Sequence, residues 1–150
     1  MQVAVDTVVV LALINERDHY HKRARALFHR VGREGDTFTL PRIRWIELIG
    51  HLTRIDARGR DAATRKTFRV GMLDHIAALR WPILEHESED HTQAESWWRK
   101  YADTPMGYPD LLIGATCHRI QSCRLRTFDS QFARFVSSEI PRIRLIREIS

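Results

Sequence analysis

The stretch that most limits what this chain can become is its first fourteen residues, MQVAVDTVVVLALI, an apolar run broken once, by Asp6. Val3, Ala4 and Val5 place hydrophobic side chains at consecutive rather than alternate positions, the pattern of a strand buried on both faces. Thr7 to Ile14 is too long and too even to extend that strand, and it reads as a helix with Asp6 and Thr7 at the strand-to-helix turn. A carboxylate at the end of a buried strand therefore has to be explained. The plainest account is a helix cap, in which the short side chain accepts from free amide groups at the helix start.

A membrane or export role for this stretch fails on length and charge. A spanning helix needs about 20 predominantly apolar residues, and a signal peptide needs a basic start and a small-residue cleavage site. Here the start is Met1-Gln2, a charge sits in the middle, and NERDHYHKR follows. The expectation is a cytoplasmic protein. At 150 residues the chain suits one domain, 1–150, with a core that needs no staples. Cys117 and Cys123 fit neither a disulfide framework nor a paired metal-ligand pattern, which agrees with a reducing compartment. The formal net charge is +5, and all but three of the 24 basic residues are arginine. Arginine forks match phosphate oxygens in pairs, so this surplus permits a nucleic-acid or acidic-protein partner without requiring one.

In chain order, Asp18 to Val31 carries Tyr20, Ala24, Leu27, Phe28 and Val31 at helical spacing, with Gly32 and Gly35 as the stop. Thr37 to Leu40 reads as a strand. Pro41 suits the first turn of the next helix, which has an Ile43, Ile46, Ile49, Leu52 stripe and Glu47 in its second turn. The polar stretch Arg54 to Arg60 leads to a helix ending near Leu79, and Trp81 to Leu84 reads as a weak strand. Ser88 opens a helix whose Trp97, Trp98 and Tyr101 are core or interface anchors rather than a base-stacking platform. A proline- and glycine-marked loop, 103–109, precedes a helix from Pro109-Asp110 that ends near Ser122. Cys123, Leu125 and Thr127 alternate with Arg124 and Arg126 in a strand with one wet or partly wet face. Phe128-Asp129-Ser130 leads to a short helix with Phe132 and Phe135, and Ile143, Leu145 and Ile146 suggest a last strand.

Strands alternating with helices predict an α/β fold: a three-layer α/β/α sandwich around a mostly parallel, roughly five-stranded sheet. In such a sheet the carboxyl ends of the strands share one edge with the amino ends of the following helices. Asp6, Glu47, Asp110 and Asp129 all fall on that edge. Taken singly, each has a structural explanation as a helix cap, a dipole partner or a solvated surface acid. Taken together they repel, by roughly 4 kcal/mol per pair at 4 Å and an effective dielectric near 20. Something positive must sit among them. Neither lysine nor histidine recurs there, which points to a hard divalent cation, magnesium or manganese, on oxygen ligands.

VD-T-VVVLALI at the start, the Glu47 helix, PDLLIGA around Asp110 and LRTFDSQF around Asp129 together resemble a PIN-domain ribonuclease of the VapC toxin type, in the family's order and over essentially the whole chain. The resemblance implies that Asp6, Glu47, Asp110 and Asp129 hold the metal, Mg2+ or Mn2+, and that Thr7 and Thr127 support the acids by hydrogen bonding. It also implies an endoribonuclease leaving a 5′-phosphate and a 3′-hydroxyl, a VapB-type antitoxin whose tail enters the acidic groove, and a homodimer. Transfer, ribosomal and messenger RNA are all open as substrates. Three positions depart from the pattern or compete with it. Pro109 replaces a usually small residue. Arg126 stands at a usually apolar strand position, where it neutralises acids or faces substrate. Asp103 is a nearby rival for a site role.

A receiver domain wants a lysine near the acids and an aspartate closing the third strand, and WPIL has neither. A haloacid-dehalogenase-type phosphatase wants an aspartate where Val8 stands. His19 with His21, or His86 with His91, lack the spacing that puts two zinc ligands on one helical face, so they read as solvated surface residues. A PIN nuclease that is not a toxin, or a silent RNA- or partner-binding module with a structural ion, stays open as the alternative.

Overall fold

A computed structural model describes residues 1–56, 61–120, 123–127 and 129–140. Its sheet contains β1 (Gln2–Val5), β2 (Thr37–Pro41), β3 (Ile83–Leu84) and β4 (Cys123–Arg126), in spatial order β3-β2-β1-β4 with every pair parallel. Val3, Ala4 and Val5 are fully buried, because β1 is central and helices cover both faces. The pleat splits them. Val3 and Val5 join one apolar cluster and Ala4 joins the other. That division explains why hydrophobic residues had to be consecutive.

Four helices supply the Val3 side: α1 (Thr7–Ile14), α2 (His21–Arg33), α3 (Arg42–Asp56) and α4 (Ala62–Ala78), through Val9, Val10, Leu27, Val31, Leu48, Leu52 and Ile76. Three supply the Ala4 side: α5 (Ser88–Lys100), α6 (Tyr108–Arg119) and α7 (Ser130–Glu139). The face of α6 is held close to its neighbours. A methyl group on Gly114 would meet Phe135 at 3.2 Å and Ile140 at 3.4 Å. The free thiols of Cys117 and Cys123 are buried in the same cluster with Sγ atoms 3.2 Å apart.

The three-layer, parallel α/β expectation holds, with four strands among the described residues. The fifth strand proposed at Ile143 to Ile146 lies outside them, as do 57–60, Ser122 and Phe128. Several local expectations need correction. Gly32 does not stop α2, which runs to Arg33; the turn is made at Gly35, whose φ of 69° suits a residue without a side chain. Pro41 does not open α3 but ends β2, in register with Leu84 of the two-residue strand β3, where a missing amide hydrogen is tolerated. Of the aromatic anchors expected on α5, Trp97 is in the core as expected and Trp98 is exposed. Arg126 is 2% exposed, so the strand is not wet at that position. None of the described helices is long and apolar enough to cross a membrane.

Candidate active site

The parallel sheet directs all four strands toward one edge, and the acids gather there. Asp6 follows β1 directly, and its amide donates to the Arg126 carbonyl at the end of β4 (3.0 Å). It stands at the N-cap of α1 but makes no side-chain cap bond. The capping explanation for Asp6 is therefore wrong. Its backbone carbonyl takes the amides of Val9 and Val10, leaving the carboxylate free to turn across the sheet edge. There Oδ2 accepts from Thr127 Oγ1 at 2.7 Å, a bond spanning 121 positions of sequence.

Glu47 comes from the second turn of α3 and Asp110 from the first turn of α6. Thr7 Oγ1 donates to Glu47 Oε2 at 3.4 Å. Asp129 sits apart from these three. It is exposed and caps α7, its Oδ1 accepting from the amides of Gln131 (2.7 Å) and Phe132 (3.1 Å). It is nonetheless linked to the group, since its own amide donates to the Thr127 hydroxyl that holds Asp6. Both threonines singled out in the sequence thus contact a singled-out acid. Asp103 lies exposed on the turn after α5.

The positive charge that repulsion demanded is on the protein itself. Arg44, one turn before Glu47 on α3, is buried with 7% of its side chain exposed. Its Nη1 donates to Glu47 Oε2 at 2.5 Å, its Nη2 pairs with Asp110 Oδ1, and its Nε faces Asp6 Oδ1 at 3.1 Å. The Nε contact is an ion pair without the angle of a hydrogen bond, so that buried nitrogen has no hydrogen-bond partner. Phe132 of α7 underlies the guanidinium, with its ring centroid 5.9 Å from Cζ. Sequence reasoning missed Arg44 because only lysine and histidine were sought at the rim. The signal was there in its place three residues before Glu47, a spacing that makes helix neighbours of opposite charge.

Electrostatics show how unevenly this charge is shared. Burial works against the Arg44 cation, but Asp6, Asp110 and Glu47 outweigh it and hold its pKa above the usual arginine value. Asp110 goes the other way. Burial raises its pKa, Arg44 lowers it by charge and hydrogen bond, and Asp6 and Asp129 raise it again, leaving it above the ordinary carboxylate range. Three acids around one guanidinium leave the pocket short of positive charge.

The donor set suits a hard cation, since carboxylate and hydroxyl oxygens are what such ions take. In the arrangement described, however, no group of three or more acidic, histidine or cysteine side chains among the described residues is poised to hold a metal. Arg44 occupies the space between them. Arg126, offered from sequence as a neutraliser of the acids or a substrate contact, is buried, and its charge helps lower the pKa of Asp36. The histidines are engaged elsewhere. His86 Nε2 accepts from the Ile43 amide and its Nδ1 meets Thr116 Oγ1, while His91 Nδ1 meets the Tyr108 hydroxyl.

A family model described as PIN domain matches residues 3–136. Among solved structures, the chain is similar to VapC20 from Mycobacterium tuberculosis, a sarcin-ricin loop cleaving toxin, with a TM-score of 0.66 at 17% identity over 89% of this chain and 94% of that one. It is also similar to VapBC2 from Rickettsia felis bound to a DNA fragment from their promoter, with a TM-score of 0.65 at 16% identity over 95% and 96% of the two chains. A third similar structure is FitAcB from Neisseria gonorrhoeae, with a TM-score of 0.63 at 18% identity over 87% and 89%. No curated protein sequence matches. At these identities the structural likenesses speak for the fold.

Proposed function

The chain belongs to the PIN-domain family, and from that premise we propose that it is a divalent-metal-dependent endoribonuclease acting as the toxin of a VapBC-type toxin–antitoxin module. The observation that carries this reading is the meeting of Asp6, Glu47 and Asp110, from three separate elements, around one point at the carboxyl edge of the sheet. Asp129 adjoins them through Thr127. Acids so close serve no fold better than apolar residues would, and like-charge crowding of this kind marks functional sites.

Asp6, Asp110 and Asp129 would hold the catalytic ion, and Glu47 would complete its shell or orient the attacking water. A divalent ion bound there supplies a water of lowered pKa and stabilises charge on the phosphoryl and leaving oxygens. Thr127 fixes the Asp6 carboxylate by donating to Oδ2, which leaves Oδ1 directed into the pocket. Thr7 braces Glu47 in the same manner. Water attack on the phosphodiester leaves a 5′-phosphate and a 3′-hydroxyl.

Residues 1–150 act as one cytoplasmic PIN domain that dimerises and is restrained by a VapB-type antitoxin. The surplus of arginine suits RNA, whether transfer, ribosomal or messenger. Asp6→Asn tests the assignment, since it keeps the side-chain shape and removes the charge. The expected result is RNA cleavage that needs Mg2+ or Mn2+, stops with chelator, and falls at least about 100-fold in the folded variant. Undiminished metal-dependent cleavage by Asp6→Asn would refute it. RNA binding without products under any metal would favour the alternative, a silent binding module, which the presence of Arg44 in the pocket makes worth separating.

A further inference from the structure

Arg44 and a divalent cation call on the same atoms. The guanidinium lies against Asp6 Oδ1, Glu47 Oε2 and Asp110 Oδ1, the oxygens that face the centre of the group. The other Asp6 oxygen is already committed to Thr127. A cation placed between these carboxylates would stand where the guanidinium now stands, and two positive groups cannot share that volume.

We propose that Arg44 is a built-in competitor of the divalent ion, setting metal affinity by occupying the acid cluster until the ion displaces it. The inference rests on the reading of these carboxylates as metal ligands, and it adds a residue that governs their availability. Three observations support it. Arg44 is on the rim helix that also carries Glu47, so its position is fixed by the same turn of α3. Its side chain is more than nine-tenths buried, yet Nε has no hydrogen-bond partner, so the guanidinium fills the pocket without being fully satisfied by it. Three carboxylates also exceed what one guanidinium can neutralise, leaving a deficit that matches a doubly charged ion better than a single arginine. Without the ion, Arg44 holds the acids together; with the ion, it is surplus to them.

Competition of this kind is read by binding, without RNA. Mn2+ titrated into the full chain, followed by calorimetry and by loss of the free-ion electron paramagnetic resonance signal, reports affinity for wild type, Arg44→Gln and Arg44→Lys. Arg44→Gln is expected to bind Mn2+ at least about tenfold more tightly than wild type, and its melting temperature to rise with Mn2+ far more than that of wild type, because the ion becomes the cluster's main neutraliser. Arg44→Lys keeps a charge but loses the fork, so it falls between the two. It also decides the matter if the glutamine variant does not fold: affinity equal to or weaker than wild type overturns the proposal. Equal or weaker Mn2+ binding by folded Arg44→Gln overturns it too, while metal-dependent RNA cleavage by wild type would leave the nuclease reading standing. Absence of Mn2+ binding in all three proteins overturns the competition, and absence of cleavage as well overturns both.

Discussion

The arginine–carboxylate groups around Asp90 and around Arg44 are built in different ways. On the α5–α6 side, Asp90 is 1% exposed and receives four donors: Arg119 Nε and Nη2, each at 2.9 Å, the Glu87 amide at 2.9 Å and Thr116 Oγ1 at 3.1 Å. Burial alone would raise its pKa, but Arg119, the Glu87 amide and Thr116 overcome that and bring it below the usual carboxylate value. Arg119 also faces Glu87 and Glu89, but both are exposed to solvent, whereas at the sheet edge the three acids drawing on one guanidinium are buried or half-buried and Asp110 is left above its usual value. A carboxylate with a full set of donors serves the fold. In the proposed nuclease, carboxylates that share too few are the ones open to a ligand. Both groups are acidic and arginine-bound, and they differ in how completely the charge of the buried carboxylate is met.

The contrast can be broken most forcefully at Asp90. Replacing it with asparagine removes the buried charge that Arg119 and the Glu87 amide meet and leaves Arg119 only the exposed carboxylates of Glu87 and Glu89, at a cost of about 3 kcal/mol in urea-unfolding stability. RNA cleavage per folded molecule is expected to be unchanged; a variant that loses activity while keeping its stability would mean the group is not purely structural. A smaller effect is expected where one residue serves the acidic pocket from behind. Thr127→Val removes the bond to Asp6 and the acceptor of the Asp129 amide, so cleavage drops about tenfold while stability falls by only about 1 kcal/mol. Equal activity with the valine would show that Asp6 is oriented without Thr127.

The gentlest probe is acid. Asp90 has a folded pKa below its unfolded value near 3.8, so the folded state binds fewer protons there; its contribution is present above that value and is lost as pH falls through the folded pKa. Asp110 has a folded pKa above 3.8, so the folded state binds more protons in that interval; its contribution is present below 3.8 and is lost as pH rises through the folded pKa. Acidification from neutral pH should therefore cost Asp90→Asn less stability than wild type, and Asp110→Asn more. Parallel stability–pH curves for the two variants would erase the distinction between the groups.

Much of the fold was readable because it depends on local pattern and on the rules of parallel sheets. The unbroken Val3-Ala4-Val5 run required cover on both faces, and the alternation of strands with helices required parallel pairing. Together they put Asp6, Glu47, Asp110 and Asp129 on one edge from sequence alone. Boundaries were less legible where a residue suits two states, as with Pro41, which fits a helix start as readily as a strand end. Arg126 misled for a related reason. Alternation cannot tell a wet face from one buried by a charged residue that finds internal company.

The chain's order of apolar and polar residues determined the central strand, the layering and the edge to which the acids go, because periodicity and strand direction are properties of neighbouring residues and of connection geometry. Only the tertiary structure decided what lies between those acids. Arg44 is one of 21 arginines, and it is distinguished from the others by where α3 delivers it, beside a strand end 38 residues earlier and a helix start 66 residues later. The same holds for the freedom of Asp6 from its own helix, since a capping bond and a long-range bond to Thr127 compete for one carboxylate. That choice is made by packing across 121 residues of separation, which no local pattern encodes.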